Sequence, residues 1–168
     1  PGYAGTHNLQ PAYDQVAAAI REVDNSSLIF FEPVTWGYVF NGKATGSGFT
    51  HVPGGIAYQN RSVFSFHYYC WFSRSPTTGL KKTECDKLLG PQIFDSVAKD
   101  IARIGGGSFM TEFGGISGDP SLHANSSREI TAVLDEADKR LQSWTYWDMS
   151  SLVDARPDQG RSGLCVLW

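Results

Sequence analysis

Apolar positions recur at helical spacing in three stretches of the chain. Between Gln10 and Val23 they fall at Ala12, Val16, Ala17, Ile20 and Val23, with Pro11 at a first-turn position. Between Pro91 and Ile104 they fall at Ile93, Phe94, Val97, Ile101 and Ile104, and Gly105-Gly106-Gly107 supplies the stop. A third set, Ile130, Val133, Leu134, Ala137 and Leu141, follows an opening at Ser127 and Glu129. Strand-like runs alternate with these helices. Leu28-Ile29-Phe30-Phe31 is continuously apolar, as a strand buried on both faces would be. Val63–Tyr69, Ser108–Thr111 and Ser143–Trp147 read as three more strands. Strands alternating with helices predict an α/β fold with a parallel sheet.

Residues 33–62 follow no period and hold six glycines together with Trp36, Tyr38, Phe40, Phe49 and Tyr58, which predicts a long structured loop rather than a linker. After Asp148 the pattern stops, so residues 149–168 read as an irregular C-terminal tail.

Composition narrows the function. The 168 residues are 41% hydrophobic with net charge -3, one domain's worth of chain, and hold no apolar run long enough for a bilayer span. No Lys/Arg cluster is present, which argues against a nucleic-acid partner. The surplus of glycine and aromatic residues suits ligands with flat apolar faces, sugars above all. Pro1 reads as a cut or a processed end. Cys70, Cys85 and Cys165 lack zinc-site spacing, so no metal is expected. Cys70 and Cys85 flank a polar loop and are either a disulfide or two free thiols. Three sequons, at Asn25, Asn60 and Asn125, are glycosylation candidates and point to a secreted or lysosomal protein.

Ligands of parallel α/β folds sit at the carboxyl ends of the strands. That rule selects Glu32 after the first strand, His67 and Tyr69 at the second, Glu112 at the third, and Trp147 and Asp148 at the fourth. Three carboxylates, an imidazole, a phenol and an indole suit glycosidic bond cleavage. Each residue also has a structural reading: a salt bridge for Glu112, a satisfied core histidine for His67, and core packing for Trp144, Tyr146 and Trp147.

These residues carry a resemblance. Thr-Glu-Phe-Gly-Gly (111–115), Phe-His-Tyr-Tyr (66–69) and Ser-Trp-Thr-Tyr-Trp-Asp (143–148) resemble the C-terminal half of family 5 glycoside hydrolases. Within that family, Leu28–Trp36 and residues 1–14 resemble the endoglycoceramidases. The resemblance covers residues 1–148 and implies strands five to eight of a (β/α)8 barrel, an incomplete catalytic domain that needs the N-terminal half of the barrel as its partner. It implies Glu112 as the nucleophile, His67 and Tyr69 as the pair that positions it, and Trp147 or Trp144 as a sugar platform. Glu32, Trp36 and Tyr68 join the substrate-binding candidates. No cofactor is implied. The reaction implied is retaining hydrolysis of the bond between glycan and ceramide in glycosphingolipids, with peripheral contact to membrane lipid and residues 33–62 lining the path of the ceramide chains. Glu32-Pro33 imitates an Asn-Glu-Pro acid/base motif, but Phe31 stands where Asn is expected, so the acid/base is expected upstream of Pro1 and the isolated chain is expected to be inactive. The rival readings are a cellulase-, glucanase- or glucosylceramidase-like hydrolase and a non-catalytic binder of carbohydrate or lipid.

Overall fold

A computed structural model describes residues 2–34, 39–40, 43–44, 46–69, 90–114 and 123–147. Helix α1 spans Gln10–Arg21, β1 Ile29–Phe31, β2 Val39–Phe40, β3 Lys43–Ala44, β4 Ser62–Tyr68, α2 Gly90–Ile104, β5 Gly107–Gly114, α3 His123–Lys139 and β6 Trp144–Trp147. The parallel strands form one sheet in the order β1-β4-β5-β6, and β2 and β3 pair antiparallel as a hairpin. Four parallel strands alternating with helices are the arrangement of half a (β/α)8 barrel. The chain divides into two compact units, Pro1–Phe66 with Gln92–Phe109 and His67–Pro91 with Met110–Trp168. Among the described residues, no helix is long and apolar enough to cross a membrane. The expected tail, 149–168, and the Cys70/Cys85 pair lie outside the described residues.

In the first unit, helical backbone begins at Gly2, earlier than predicted, and widens into a π-turn over Gly5–Leu9 before α1. The Gln10 N–H there bonds the Gly5 carbonyl. Pro11 follows at once; it has no N–H to give and its ring crowds the preceding turn, so a widened turn accommodates it. The apolar spacing of α1 does not map onto its buried face. Ala17 is buried, but Val16 and Val23 are exposed, whereas Gln10 and Arg21 are buried. The buried Arg21 guanidinium donates to the carbonyls of Asp24, Ser27 and Arg61 and lies over the Tyr58 ring.

The polar face of α1 has a partner. Thr6, Gln10 and Asp14, four apart and therefore on one side of a helix, hold a strap of irregular backbone between Gly46 and Gly54. Thr6 Oγ1 donates to the Gly48 carbonyl, Gln10 bonds both Thr50 N–H and the His51 carbonyl, and Asp14 accepts from Gly54 N–H and meets His51 Nε2 at 3.0 Å. From the other side Asp100 of α2 accepts the Ser47 N–H at 2.7 Å, and Arg103 bonds the Phe49 carbonyl and Asp100. Much of the strap's backbone is thus bonded by side chains of the two helices. Its Phe49 side chain enters an edge-to-face cluster with Tyr13, Phe31 and Phe64, with centroids 5.4–6.2 Å apart. Each such pair contributes about 0.5–1.5 kcal/mol beyond area burial. Within the stretch expected to be a long loop, 33–62, the described residues hold the β2–β3 hairpin, the strap and a 3-10 helix over Ile56–Arg61, and Phe49 and Val52 serve the core.

β1 corrects another expectation. Phe31 is 1% exposed, but Phe30 and Leu28 are 48% and 55% exposed, so one face of the strand is buried rather than two. Phe31 points into the aromatic cluster while Phe30 turns to the opposite side, where it meets Phe109 edge-on. Helix α2 packs Phe94 on Phe66 and ends where expected: Gly105 and Gly106 take positive φ, and the Gln59 amide donates to the Ile104 carbonyl.

In the second unit, α3 buries Val133 and Ala137. It ends in a Schellman turn, with Gln142 N–H on the Ala137 carbonyl and Leu141 N–H on that of Asp138. Leu141, read from sequence as part of the apolar face, instead sits beyond the helix with φ 53° and is 94% exposed.

Candidate active site

The second unit brings three of the expected residues together. On β4, Tyr68 is 4% exposed, and strand alternation turns His67 and the following Tyr69 to the other face. Tyr68, a substrate-binding candidate from sequence, lies in the buried layer.

Glu112 reaches the face of His67 and Tyr69 through an irregularity in β5. The strand was expected to stop at Thr111, but it runs to Gly114. Met110 pairs with Trp144 and Phe113 with Tyr146, so three steps along β5 match two along β6. Met110 and Phe113 are 0% and 1% exposed although they lie three apart, a spacing that would put them on opposite faces of a regular strand. One extra residue on β5, a β-bulge, restores the parity. Thr111 and Glu112 lie within it, and Glu112 is directed away from the layer that buries its neighbours.

Tyr69 Oη donates to Glu112 Oε2 at 2.9 Å, and His67 Nδ1 lies 3.4 Å from the same oxygen. The side chains of His67 and Glu112 are 22% and 29% exposed, so the carboxylate is sheltered yet open to solvent. A phenol donating to a carboxylate is a charge-assisted bond that also fixes its rotation. Among the described residues, no Lys or Arg pairs with Glu112 and no hydrogen bond reaches Oε1. Oε2 is thus the oxygen that these two side chains hold.

The two tryptophans of β6 separate. The rings of Trp144 and Tyr146 lie 5.2 and 5.4 Å from that of Phe113, and Trp144 is half-buried. Trp147 is 59% exposed and pairs with Gly114, two residues past Glu112. A Cβ at position 114 would collide with the Trp147 carbonyl, so glycine there lets the strands approach. Glu32 follows β1 in the first unit, half-buried, its N–H donating to Tyr13 Oη at 3.0 Å. Trp36 and Asp148 lie outside the described residues, as do side-chain details of Asn125; Asn25 and Asn60 are exposed. Sequence reasoning missed the bulge, whose one visible signal was the three-residue spacing of Met110 and Phe113.

Residues 2–152 match the cellulase family, glycosyl hydrolase family 5. The endoglycoceramidase of Cyanea nozakii is 39% identical over 147 residues, which cover 88% of this chain and 24% of that protein. The endoglycoceramidase of Hydra vulgaris is 40% identical over 147 residues, covering 88% of this chain and 23% of its own. The chain thus spans about a quarter of the length of these relatives. Endo-glycoceramidase II from Rhodococcus sp., solved as a lactosyl-enzyme intermediate, shares the fold with a TM-score of 0.65 at 22% identity, over 93% of this chain and 33% of that one. The chain belongs to glycosyl hydrolase family 5 and, within it, is related to the endoglycoceramidases.

Proposed function

We propose that this chain carries the nucleophile half of a retaining endoglycoceramidase site, acting on the bond between glycan and ceramide. The observation that carries the reading is the Glu112 carboxylate, with Oε2 held by Tyr69 and His67 and no hydrogen bond to Oε1 among the described residues. Oε1 attacks the anomeric carbon, a C–O bond forms to the enzyme, and the bond to the ceramide oxygen breaks as that oxygen takes a proton from a second carboxyl group. Water then attacks the same carbon, gives its proton to that group and releases Glu112. Tyr69 and His67 orient the nucleophile, and Trp147 offers a face on which a sugar ring can stack.

The lactosyl-enzyme intermediate of the Rhodococcus protein supports a covalent step, and the two cnidarian relatives support ceramide as the leaving group. The second carboxyl must stand about 5–5.5 Å from the first. We assign it to a segment outside this chain, so the isolated chain is expected to be inactive. A secreted or lysosomal location, with glycans at Asn25 and Asn60, fits this substrate class.

The test places this chain's matching residues into the Hydra vulgaris endoglycoceramidase and follows release of ceramide from a glycosphingolipid. Turnover is expected, and Glu112→Gln should lower kcat at least about a thousandfold. Turnover by the Glu112→Gln chimera at the parental rate would overturn the assignment.

A further inference from the structure

The bulge in β5 decides which way Glu112 points, and one side chain on the neighbouring strand is bonded to it. In an unbroken strand, residues two apart share a face, so Glu112 would follow Met110 into the buried layer, away from Tyr69 and His67. A bulge is a local break in the ladder, and without something to fix it a one-residue slip restores regular pairing. Thr145 lies on β6 between Trp144 and Tyr146, the residues whose partners, Met110 and Phe113, flank the irregularity. Its Oγ1 donates at 2.6 Å to the carbonyl oxygen of Thr111, which is the carbonyl of the peptide joining Thr111 to Glu112. Thr145 is thus bonded to the backbone unit immediately before the carboxylate-bearing residue, in the interval where the register shifts.

We propose that Thr145 is a positioning residue for Glu112: its hydroxyl fixes the Thr111–Glu112 peptide and so holds the bulge that turns the carboxylate toward Tyr69 and His67. It acts through the backbone and touches no substrate. The consequence for catalysis rests on Glu112 being the nucleophile, but the geometry does not, and the test below uses no turnover. Failure of one is therefore distinguishable from failure of the other.

The hydroxyl is removed with shape kept in Thr145→Val and kept with the methyl lost in Thr145→Ser. Both are compared with the unaltered 168-residue chain by amide hydrogen exchange and by the 13C shift of the Glu112 carboxyl carbon. Thr145→Val is expected to speed exchange at Glu112 and Phe113 about tenfold, the scale of one net hydrogen bond. It should also move the carboxyl resonance as the Tyr69 bond is lost. Thr145→Ser is expected to keep both near their original values. Unchanged exchange and an unchanged carboxyl shift in Thr145→Val would overturn the proposal. So would a Ser variant that behaves like Val, since packing and not the hydroxyl would then be responsible. Should Thr145→Val unfold the chain, the Ser variant decides: original exchange at Glu112 supports the hydroxyl's role, and acceleration there overturns it.

Discussion

Replacing Asp100 with alanine removes the acceptor that ties the strap to α2. Asp100 is 5% exposed and Ser47 2%, so the Ser47 N–H that loses its 2.7 Å bond has no route to water unless the strap moves. A hydrogen bond to a charged group contributes about 1.5–3 kcal/mol. The ion pair with Arg103 adds little, because that side chain is 46% exposed and a pair so solvated contributes at most about 1 kcal/mol. The expected effect is therefore about 2–3 kcal/mol, concentrated in local opening of residues 46–54. At about 1.4 kcal/mol per tenfold, exchange of the Ser47 amide should accelerate by about 30- to 150-fold. Asp100→Asn keeps an oxygen able to accept from Ser47 and should recover most of the protection. Amide exchange followed by NMR reads both variants directly. A Ser47 amide that exchanges within about threefold of the unaltered protein in Asp100→Ala would refute the argument that this side chain satisfies the strap's backbone.

Two further outcomes follow from the ends of the helices. Leu141→Gly should stabilise the chain by about 1 kcal/mol, because a left-handed residue closes the Schellman turn and the leucine there is almost wholly exposed, so little packing is lost; a lower urea midpoint would count against it. Asp24 is held below the usual carboxylate range by hydrogen bonds from the Ser27 side chain, then from the Ser27 and Ser26 backbone. A depressed carboxylate contributes stability that is present above its unfolded pKa and is lost as the pH falls through the folded value. The stability gap between the unaltered chain and Asp24→Ala should accordingly be full near neutrality and shrink below about pH 4, as read by urea titrations at several pH values; a gap that widens on acidification would contradict the assigned bonds.

Which parts of this were legible in sequence follows from what periodicity can carry. The α/β alternation was visible because Ile93, Phe94, Val97 and Ile104 bury one helix face, and Phe64 and Phe66 one strand face. The family resemblance drew attention to His67, Tyr69 and Glu112 together, and the structure places them in contact. Polar contacts were not legible in this way. Thr6, Gln10 and Asp14 form a stripe as regular as any apolar one, but what they bond is backbone more than thirty residues away, and a hydropathy pattern is silent about backbone. Likewise Met110 and Phe113 looked like the end of an alternation, because a bulge and a strand terminus break the period in the same manner. Leu28 and Phe30 are as apolar as Phe31, so composition could not say that one side of β1 stays uncovered.

The strap has a consequence for the order in which the first unit assembles. A helix in that connection would supply its own hydrogen bonds and could begin to form unaided, whereas this segment borrows many of them from α1 and α2, partners that arrive from both sides and are distant in the chain. It therefore has little to gain until both are docked, which makes it a late step in folding and an early one in unfolding. Phe49 rides on that segment into the aromatic cluster, so the cluster closes only when the connection does.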